Sequence, residues 1–521
     1  MATGQPSGAR QRTPRAFPRG RSADDGARAA VRAALGDLPL RRDMLIEHLH
    51  ALQGRHGALL PAHLVALAET LRLAPVEVFE VATFYAHFEV LADGEAAPRP
   101  AIHVCGGLPC AMRPRPALPA GARIVEAPCM GACDEAPACT ARPRDIATPA
   151  PRPMPVLDAL RAGRLTRDAI LDALDVAGLR GMGGAGFPVA RKWRAVLAQP
   201  GPRHLVVNAD EGEPGTFKDR WCLEREPHRV LEGALIAAEA IDADAIWLYI
   251  RDEYPEARRI LAEMIPALPA RRPVHLRRGA GAYVCGDETA LLESLEGKRG
   301  YPRHKPPFPG ERGLFGRPTL IHNVETLWWL PELLATPDAP ARFAAAGRNG
   351  HKGERLFSLS GRVKRPGVYC APIGITARDL IEAQGGGMEE GHRFAAYLPG
   401  GASGGILPAT MADLPLAFGV LEPLGCFVGS GAVVVLSDRD DLADAARNLL
   451  RFFRDESCGQ CTPCRVGTQK AVHLLEAPRW DRSLLEDLAQ AMADGSICGL
   501  GQAAMNPVRA LLRHFPKEAA P

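Results

Sequence analysis

Two groups of four cysteines fix what this chain can be built around. The first is Cys105-x4-Cys110 with Cys129-x3-Cys133, and the second is Cys458-x2-Cys461-x2-Cys464 with the distant Cys498. Thiolates on one short loop converge on a metal centre with little chain reorganisation, and soft sulfur ligands select zinc or iron–sulfur clusters. Structural zinc commonly uses paired cysteine knuckles. The second group instead has three cysteines on one loop and a fourth far away, the arrangement of a cubane cluster. Iron–sulfur is therefore the favoured reading of both groups, with zinc as the alternative. The cysteine count is odd, and Met1 to Ser22 lacks the apolar core of a secretory signal. Both facts argue against disulfides. Cys139, Cys222, Cys285, Cys370 and Cys426 are scattered and read as packing cysteines. Cys139 lies close enough to the first group to leave a ligand exchange open.

A length of 521 residues implies several domains. Apolar runs such as Ala432 to Leu436 are too short for a bilayer span, so no membrane insertion is expected. A net charge of +3, with both signs interspersed, gives no case for nucleic acid. Residues 1–27 read as a disordered tail and the chain as cytoplasmic. A mitochondrial presequence is the alternative, but Pro14, Pro18 and Gly20 would break its helix. Residues 28–96 read as a helical domain: Leu45, Leu49 and Leu52 recur at helical spacing, Gly54 and Gly57 stop that helix, and Pro75 opens another. Residues 97–157 carry five cysteines and a proline-rich linker. Helices then alternate with short strands over 158–350, which predicts an α/β layer on a parallel sheet. Residues 351–437 read as β-rich, and 438–521 as helical.

The run Gly181-Met182-Gly183-Gly184-Ala185-Gly186 fits G-x-G-x-x-G, but it follows a helical pattern rather than a strand. An ordinary Rossmann reading therefore fails its context test. The loop still suits a phosphate, because closely spaced glycines let backbone N–H groups approach an anion and Lys192 adds charge. A flexible turn is the plain alternative. Asn208 to Gly215 follows the strand residues Val206 and Val207, at the carboxyl end where α/β sheets bind ligands. Gly279 to Thr289 combines small residues with Asp287 and Glu288. Carboxylates there would bond ribose hydroxyls and repel a 2′-phosphate, favouring NAD over NADP. A pair of solvated acidic turns is the alternative.

With these segments in order, the chain resembles the NADH-binding flavoprotein subunit of respiratory complex I, fused behind a copy of its 2Fe–2S partner subunit. The same module occurs in NAD-dependent formate dehydrogenases and NAD-reducing hydrogenases. Further markers are Val81-Ala82-Thr83-Phe84-Tyr85, residues 183–188, 208–211, 305–309 and 323–326, and Glu456-Ser457-Cys458 through Arg465. The resemblance implies a multidomain α/β protein. Its parts would be a helical bundle with a thioredoxin-like 2Fe–2S domain, a Rossmann-like FMN/NADH domain, a β-grasp (ubiquitin-like) insert and a C-terminal helical 4Fe–4S domain. By similarity, Gly181, Gly183, Lys192, Asn208, Asp210, Gly286 and Asn323 would hold FMN. Phe187 and Phe308 would stack on NADH, and Glu213, Glu288 and Lys305 would contact its polar parts. Glu211, Tyr283 and Asp287 complete the cofactor-binding set. Cys458, Cys461, Cys464 and Cys498 would hold one 4Fe–4S cluster, and Cys105, Cys110, Cys129 and Cys133 one 2Fe–2S cluster.

Several positions depart from the family. Met182 stands where Arg is usual, removing a charge near flavin or nucleotide. Asp287 replaces Glu, His322 replaces Asn, and Ala195 replaces an aromatic found in some members. The short gap from Cys110 to Cys129 predicts a thioredoxin-like domain pruned of at least one helix, which leaves room for a more exposed cluster.

The chemistry implied is hydride exchange between NAD(H) and flavin and single-electron exchange with clusters; no acid–base side chain is required. The expected setting is the β, or diaphorase, subunit of an NAD-dependent formate dehydrogenase. Its partner would be a catalytic subunit carrying molybdenum or tungsten and further Fe–S clusters. The fused 2Fe–2S and flavin units favour this, as does the lack of ferredoxin-like cysteine runs after Cys498. The alternatives are the diaphorase of an NAD-reducing hydrogenase, a complex I subunit, or an electron-transfer scaffold that has lost flavin.

Overall fold

The computed structural model describes residues 21–140 and 144–516. Most of the tail read from the sequence lies outside these residues, and its last part is not a tail. The Asp24 carboxylate accepts from the Ala27 N–H at 2.7 Å and caps a helix, Asp25–Leu35, so order begins earlier than residue 28. Three more helices follow, Leu45–His56, Pro61–Leu71 and Pro75–Phe84, the last two opened by proline in the first turn. Gly57, at φ 78°, ends the first of these three, while Gly54 lies inside it rather than stopping it. This bundle docks on the next domain through polar contacts. His87 Nδ1 lies 2.7 Å from Asp252 Oδ2, and His50 Nε2 lies 2.9 Å from the Gly279 carbonyl. Burial pushes His50 down to about 3, so it is neutral there.

The cysteine-rich stretch contributes a two-stranded parallel ribbon, β1 (Ala101–Cys105) and β2 (Arg123–Ala127), with the short helix Leu108–Ala111 between them. The next domain is built on β3 (Arg203–Ala209), β4 (Ala243–Ile250), β5 (Val274–Arg278) and β6 (Thr319–Asn323). They form an all-parallel sheet in the order β5-β4-β3-β6. Leu205-Val206-Val207 and Ile246 through Ile250 are buried, as strands covered on both faces must be. The β-rich part contains β7 (Glu354–Gly361), β8 (Gly367–Pro372), β9 (Phe394–Leu398), β10 (Leu407–Pro408) and β11 (Ala432–Ser437). Their order is β10-β9-β11-β7-β8, with β11 parallel to β7 and the other pairs antiparallel. The remainder is helical: Leu442–Asp455, Thr462–Glu476, Arg482–Gly495 and Asn506–His514. No helix among the described residues is long and apolar enough to cross a membrane.

One close approach places the end of β6. Helix Pro227–Ala240 lies against the short helix Val324–Trp328, whose N-cap is Asn323. A Cβ on Gly233 would fall 2.0 Å from the Leu327 carbonyl oxygen, a backbone atom that cannot swing aside. Gly233→Ala is expected to destabilise the protein by roughly 1–3 kcal/mol through overpacking, despite the better helix propensity of alanine. A denaturant midpoint equal to or above the parent's would refute the backbone contact.

Candidate functional site

The carboxyl ends of β3 and β6 open into a cavity of about 1270 Å³. Every residue singled out from the sequence for cofactor binding lies on its wall: Gly181, Gly183, Phe187, Lys192, Asn208, Asp210, Glu211, Glu213, Tyr283, Gly286, Asp287, Glu288, Lys305, Phe308 and Asn323. The glycine loop joins helix Arg167–Ala177 to helix Val189–Leu197, so it is a helix-to-helix turn and not a Rossmann strand-to-helix turn. It closes on itself, with the Gly181 N–H donating to the Phe187 carbonyl at 2.8 Å. Gly186, at φ 63°, could carry no side chain: a Cβ would meet the Phe418 ring at 2.6 Å.

The polar groups differ in what they are free to do. Asn208 Nδ2 donates to the Gly286 carbonyl at 2.9 Å, tying the two acidic segments together. Asp210 Oδ2 is buried without a protein partner, and burial holds this carboxyl well above the usual range. It is a group that calls for a ligand donor. Glu288 lies between two ammonium groups, 3.2 Å from Lys192 Nζ and 2.9 Å from Lys305 Nζ. Burial acts to raise its pKa, but the two lysines outweigh it and keep the carboxylate ionised. Glu213 accepts from the Ser403 N–H and hydroxyl, each at 2.6 Å, and from the Tyr283 hydroxyl. Phe187 and Phe308 stand at the mouth, 45% and 54% exposed, as rings awaiting a flat partner do.

Other residues serve the frame. Asp287 caps helix Glu288–Leu295, accepting from the Thr289 and Ala290 N–H groups at 2.8 and 3.2 Å. Glu211 accepts from the Asp219 and Arg220 N–H groups at 2.9 and 3.0 Å and from the Tyr254 hydroxyl at 2.8 Å. Met182 is fully buried in the apolar core and does not reach the cavity wall, so its side chain answers to packing there. His322 does line the cavity, and its Nε2 accepts from Trp193 Nε1 at 2.7 Å. Burial, then Lys192, keeps His322 neutral. Ala195 also lines the wall.

The β-rich domain contributes Ser403, Phe418, Phe427 and Ser430 to the same cavity, and these were not found from the sequence. The run Gly400-Gly401-Ala402-Ser403-Gly404-Gly405 was the available signal, since it marks a close backbone approach. Cys498 also lines the cavity, placing one metal-type ligand beside the predicted flavin residues.

The cysteines fall into their two groups. Cys105 ends β1 and Cys110 follows in the helix after it, and Cys129 and Cys133 follow the end of β2. Cys129 and Cys133 have their sulfurs 3.6 Å apart. All four are buried, at 7%, 4%, 1% and 2% exposure. The expectation of a more exposed centre in the pruned domain is therefore corrected: Phe217 and Tyr254 of the parallel-sheet domain cover the loop. In the second group, Cys461 and Cys498 are helix N-caps and Cys464 lies in a first turn. Helix N-termini favour negative charge, which suits an anionic thiolate centre. Both donor sets are all sulfur, which fits iron–sulfur clusters.

Comparison with known proteins agrees with this reading. Residues 174–332 match the Nuo51 FMN-binding domain, 444–520 the NADH-ubiquinone oxidoreductase-F iron-sulfur binding region, 31–123 the thioredoxin-like [2Fe-2S] ferredoxin, and 356–407 the SLBB domain. The second F subunit of the NADH-quinone oxidoreductase of Rhizobium meliloti (strain 1021) is 41% identical over 68% of this chain and 89% of its own length. The F subunit of the NADH-quinone oxidoreductase of Aquifex aeolicus (strain VF5) is 40% identical over 69% and 87%. In structure, a chain of an NAD+-reducing [NiFe]-hydrogenase in the H2-reduced state superposes with a TM-score of 0.76, 34% identity and 92% coverage of both chains. The β-rich part is thus an SLBB domain, and the cofactors are FMN, one 4Fe–4S and one 2Fe–2S cluster.

Gly186→Ala is expected to lower FMN content severalfold while leaving total iron unchanged, because the added methyl drives the loop off Phe418. Flavin released by acid and measured per chain checks this; full flavin occupancy in the variant would show that the loop tolerates the shift.

Proposed function

Because this chain belongs to the family of NADH-quinone oxidoreductase F subunits, NADH-binding FMN flavoproteins with iron–sulfur clusters, we propose that it is the NAD(H)-side electron-entry component of a larger cytoplasmic redox complex. One observation carries this reading: the cavity lined by the glycine loop, Asp210 and Glu288 is also lined by Cys498. Nucleotide site, flavin site and first cluster ligand thus share one wall.

The residues divide the work by chemistry. Gly181, Gly183, Lys192, Asn208, Asp210, Gly286 and Asn323 would hold FMN; the unpartnered Asp210 oxygen and the Asn323 side chain packed against Gly183 are the features that fit it. Bound FMN supplies the exchange between paired electrons from NADH and the single electrons that clusters accept. Phe187 and Phe308 cover the flat parts of the dinucleotide. Glu288, flanked by Lys192 and Lys305, and Glu213, held by Tyr283 and Ser403, orient its polar parts. These carboxylates disfavour a 2′-phosphate, so the nucleotide is NAD(H) rather than NADP(H). Cys458, Cys461, Cys464 and Cys498 hold the 4Fe–4S cluster that carries electrons onward, and Cys105, Cys110, Cys129 and Cys133 hold the 2Fe–2S cluster. No side chain is asked to move a proton.

The partner we propose is a molybdenum- or tungsten-containing subunit that oxidises formate and carries further Fe–S clusters. Fusion of the 2Fe–2S and flavin units in one chain supports it. A second reading, a nickel–iron hydrogenase partner, is supported by the match to a chain of an NAD+-reducing [NiFe]-hydrogenase over 92% of both chains. Metal analysis of the intact complex decides between them: molybdenum or tungsten supports the first, and nickel overturns it in favour of the second.

Cys461→Ser is expected to leave the NADH-driven bleaching of flavin near 450 nm intact. Electron delivery to the partner should fall by about an order of magnitude or more. Normal delivery, with the 4Fe–4S signal lost, would sink the assigned route.

A further inference from the structure

The loop bearing Cys129 and Cys133 packs on the FMN domain more than on its own ribbon. Arg251, immediately after β4 and 5% exposed, reaches it with a fixed guanidinium. Its Nη2 donates to the Cys129 carbonyl at 2.8 Å, its Nη1 donates to the Glu211 carbonyl, and its Nε pairs with Glu253 at 3.1 Å. The guanidinium lies 5.1 Å from the Tyr254 ring centroid. That ring in turn abuts Gly131, where an added Cβ would fall 2.2 Å from the phenol oxygen. A second guanidinium, Arg220, is 3% exposed and grips Asp134, next to Cys133, through both carboxylate oxygens at 2.6 and 2.7 Å. Glu211 lies on the flavin cavity wall. One side chain therefore joins a carbonyl of the cluster loop to a carbonyl of the flavin site.

We propose that Arg251 is the positioning residue of the 2Fe–2S centre: its guanidinium fixes the Cys129 loop to the wall of the flavin cavity, and its buried charge raises the reduction potential of the cluster. This rests on the reading that Cys105, Cys110, Cys129 and Cys133 are the ligands. The physical reason is electrostatic. A cluster gains one negative charge on reduction, and a cation in a low-dielectric site stabilises the charged form far more than the same cation in water would. Glu253, itself partly exposed, offsets that charge only in part. Asp134 offsets Arg220 in the same way, at 2.6 Å.

The test is a redox titration of the intact complex followed by EPR, with the 4Fe–4S signal as internal reference. Arg251→Gln is expected to lower the 2Fe–2S midpoint, shifting its reduced-to-oxidised ratio at fixed potential roughly tenfold, or about 59 mV for one electron. Arg251→Lys keeps the charge and stays near the parent midpoint. Asp134→Asn, at a partly exposed position, unmasks Arg220 and moves the midpoint the opposite way. The 4Fe–4S midpoint stays put in all three. A 2Fe–2S signal of full intensity with an unmoved midpoint in Arg251→Gln overturns the proposal, as does a fall in Arg251→Lys as large as that in Arg251→Gln. Should Arg251→Gln fail to assemble, Glu253→Gln, which removes the carboxylate paired with Arg251 Nε, decides: a midpoint that does not rise there overturns the proposal. A parent protein with flavin and 4Fe–4S signals but no 2Fe–2S signal instead overturns the ligand reading, and the proposal falls with it.

Discussion

A buried ammonium group organises the centre of this molecule. Lys218 is 1% exposed, with Nζ 2.8 Å from Asp219 Oδ1 and 2.9 Å from Glu325 Oε2. Asp219 also accepts from Asn323 Nδ2, at the end of β6. Glu325 accepts from the Leu356 N–H at 2.7 Å, at the start of the SLBB sheet. One charge thus ties together the end of β3, the end of β6 and the first strand of another domain. Burial acts to lower the Lys218 pKa, but its carboxylate partners outweigh that and raise it. Removing one member of such a set leaves an uncompensated charge in the interior, which costs about 3–5 kcal/mol. Lys218 and Asp219 also line the flavin cavity, so the same ion cluster forms part of its wall.

This explains which parts of the site could be read from sequence. The clustered glycines at 181–186 and the acidic turns are local signals, since each stands out as a short run in the sequence. The parallel sheet was legible from short Val/Ile/Leu strands alternating with helical patterns, and the two metal centres from cysteine spacing. Phe418 and Phe427 were not legible as site residues, because nothing local distinguishes them; they reach the cavity through packing of the SLBB domain. Lys218 and Asp219 stood beside a recognised segment but look like an ordinary charged helix start. Their burial is a property of two domains meeting. Met182 erred the other way: family comparison suggested a lost charge at the site, whereas the side chain is committed to the core.

The two metal centres are stabilised by different means. Three cysteines of the second group, Cys461, Cys464 and Cys498, sit at helix N-termini, where the helix dipole favours negative charge. The first group lies at the ends of β1 and β2, and a two-stranded ribbon has almost no dipole to offer. Its positive potential comes from side chains of a neighbouring domain. The second centre thus has its electrostatics set by its own helices, while the first depends on docking.

That dependence gives the fusion of domains a physical reason. The cysteine-rich unit has almost no core of its own: Cys105, Cys110 and Ala138 are the buried members of its cluster, backed by Met130, Ala132 and Ala136. Ordering each backbone residue costs about 1–2 kcal/mol, and so small an apolar set at about 25 cal/mol per Å² falls far short of offsetting that. Cys129 and Cys133 instead cluster with Phe217 and Val368, from the FMN and SLBB domains. Asn448 of the C-terminal helices donates to the Gly106 carbonyl at 3.0 Å, and Arg113 pairs with Glu389 of the SLBB domain. The interior of this unit is instead completed by the FMN, SLBB and C-terminal parts of the same chain. A unit too small to bury its own cysteines depends on the surfaces that bury them, and sharing a chain with those surfaces raises their effective concentration.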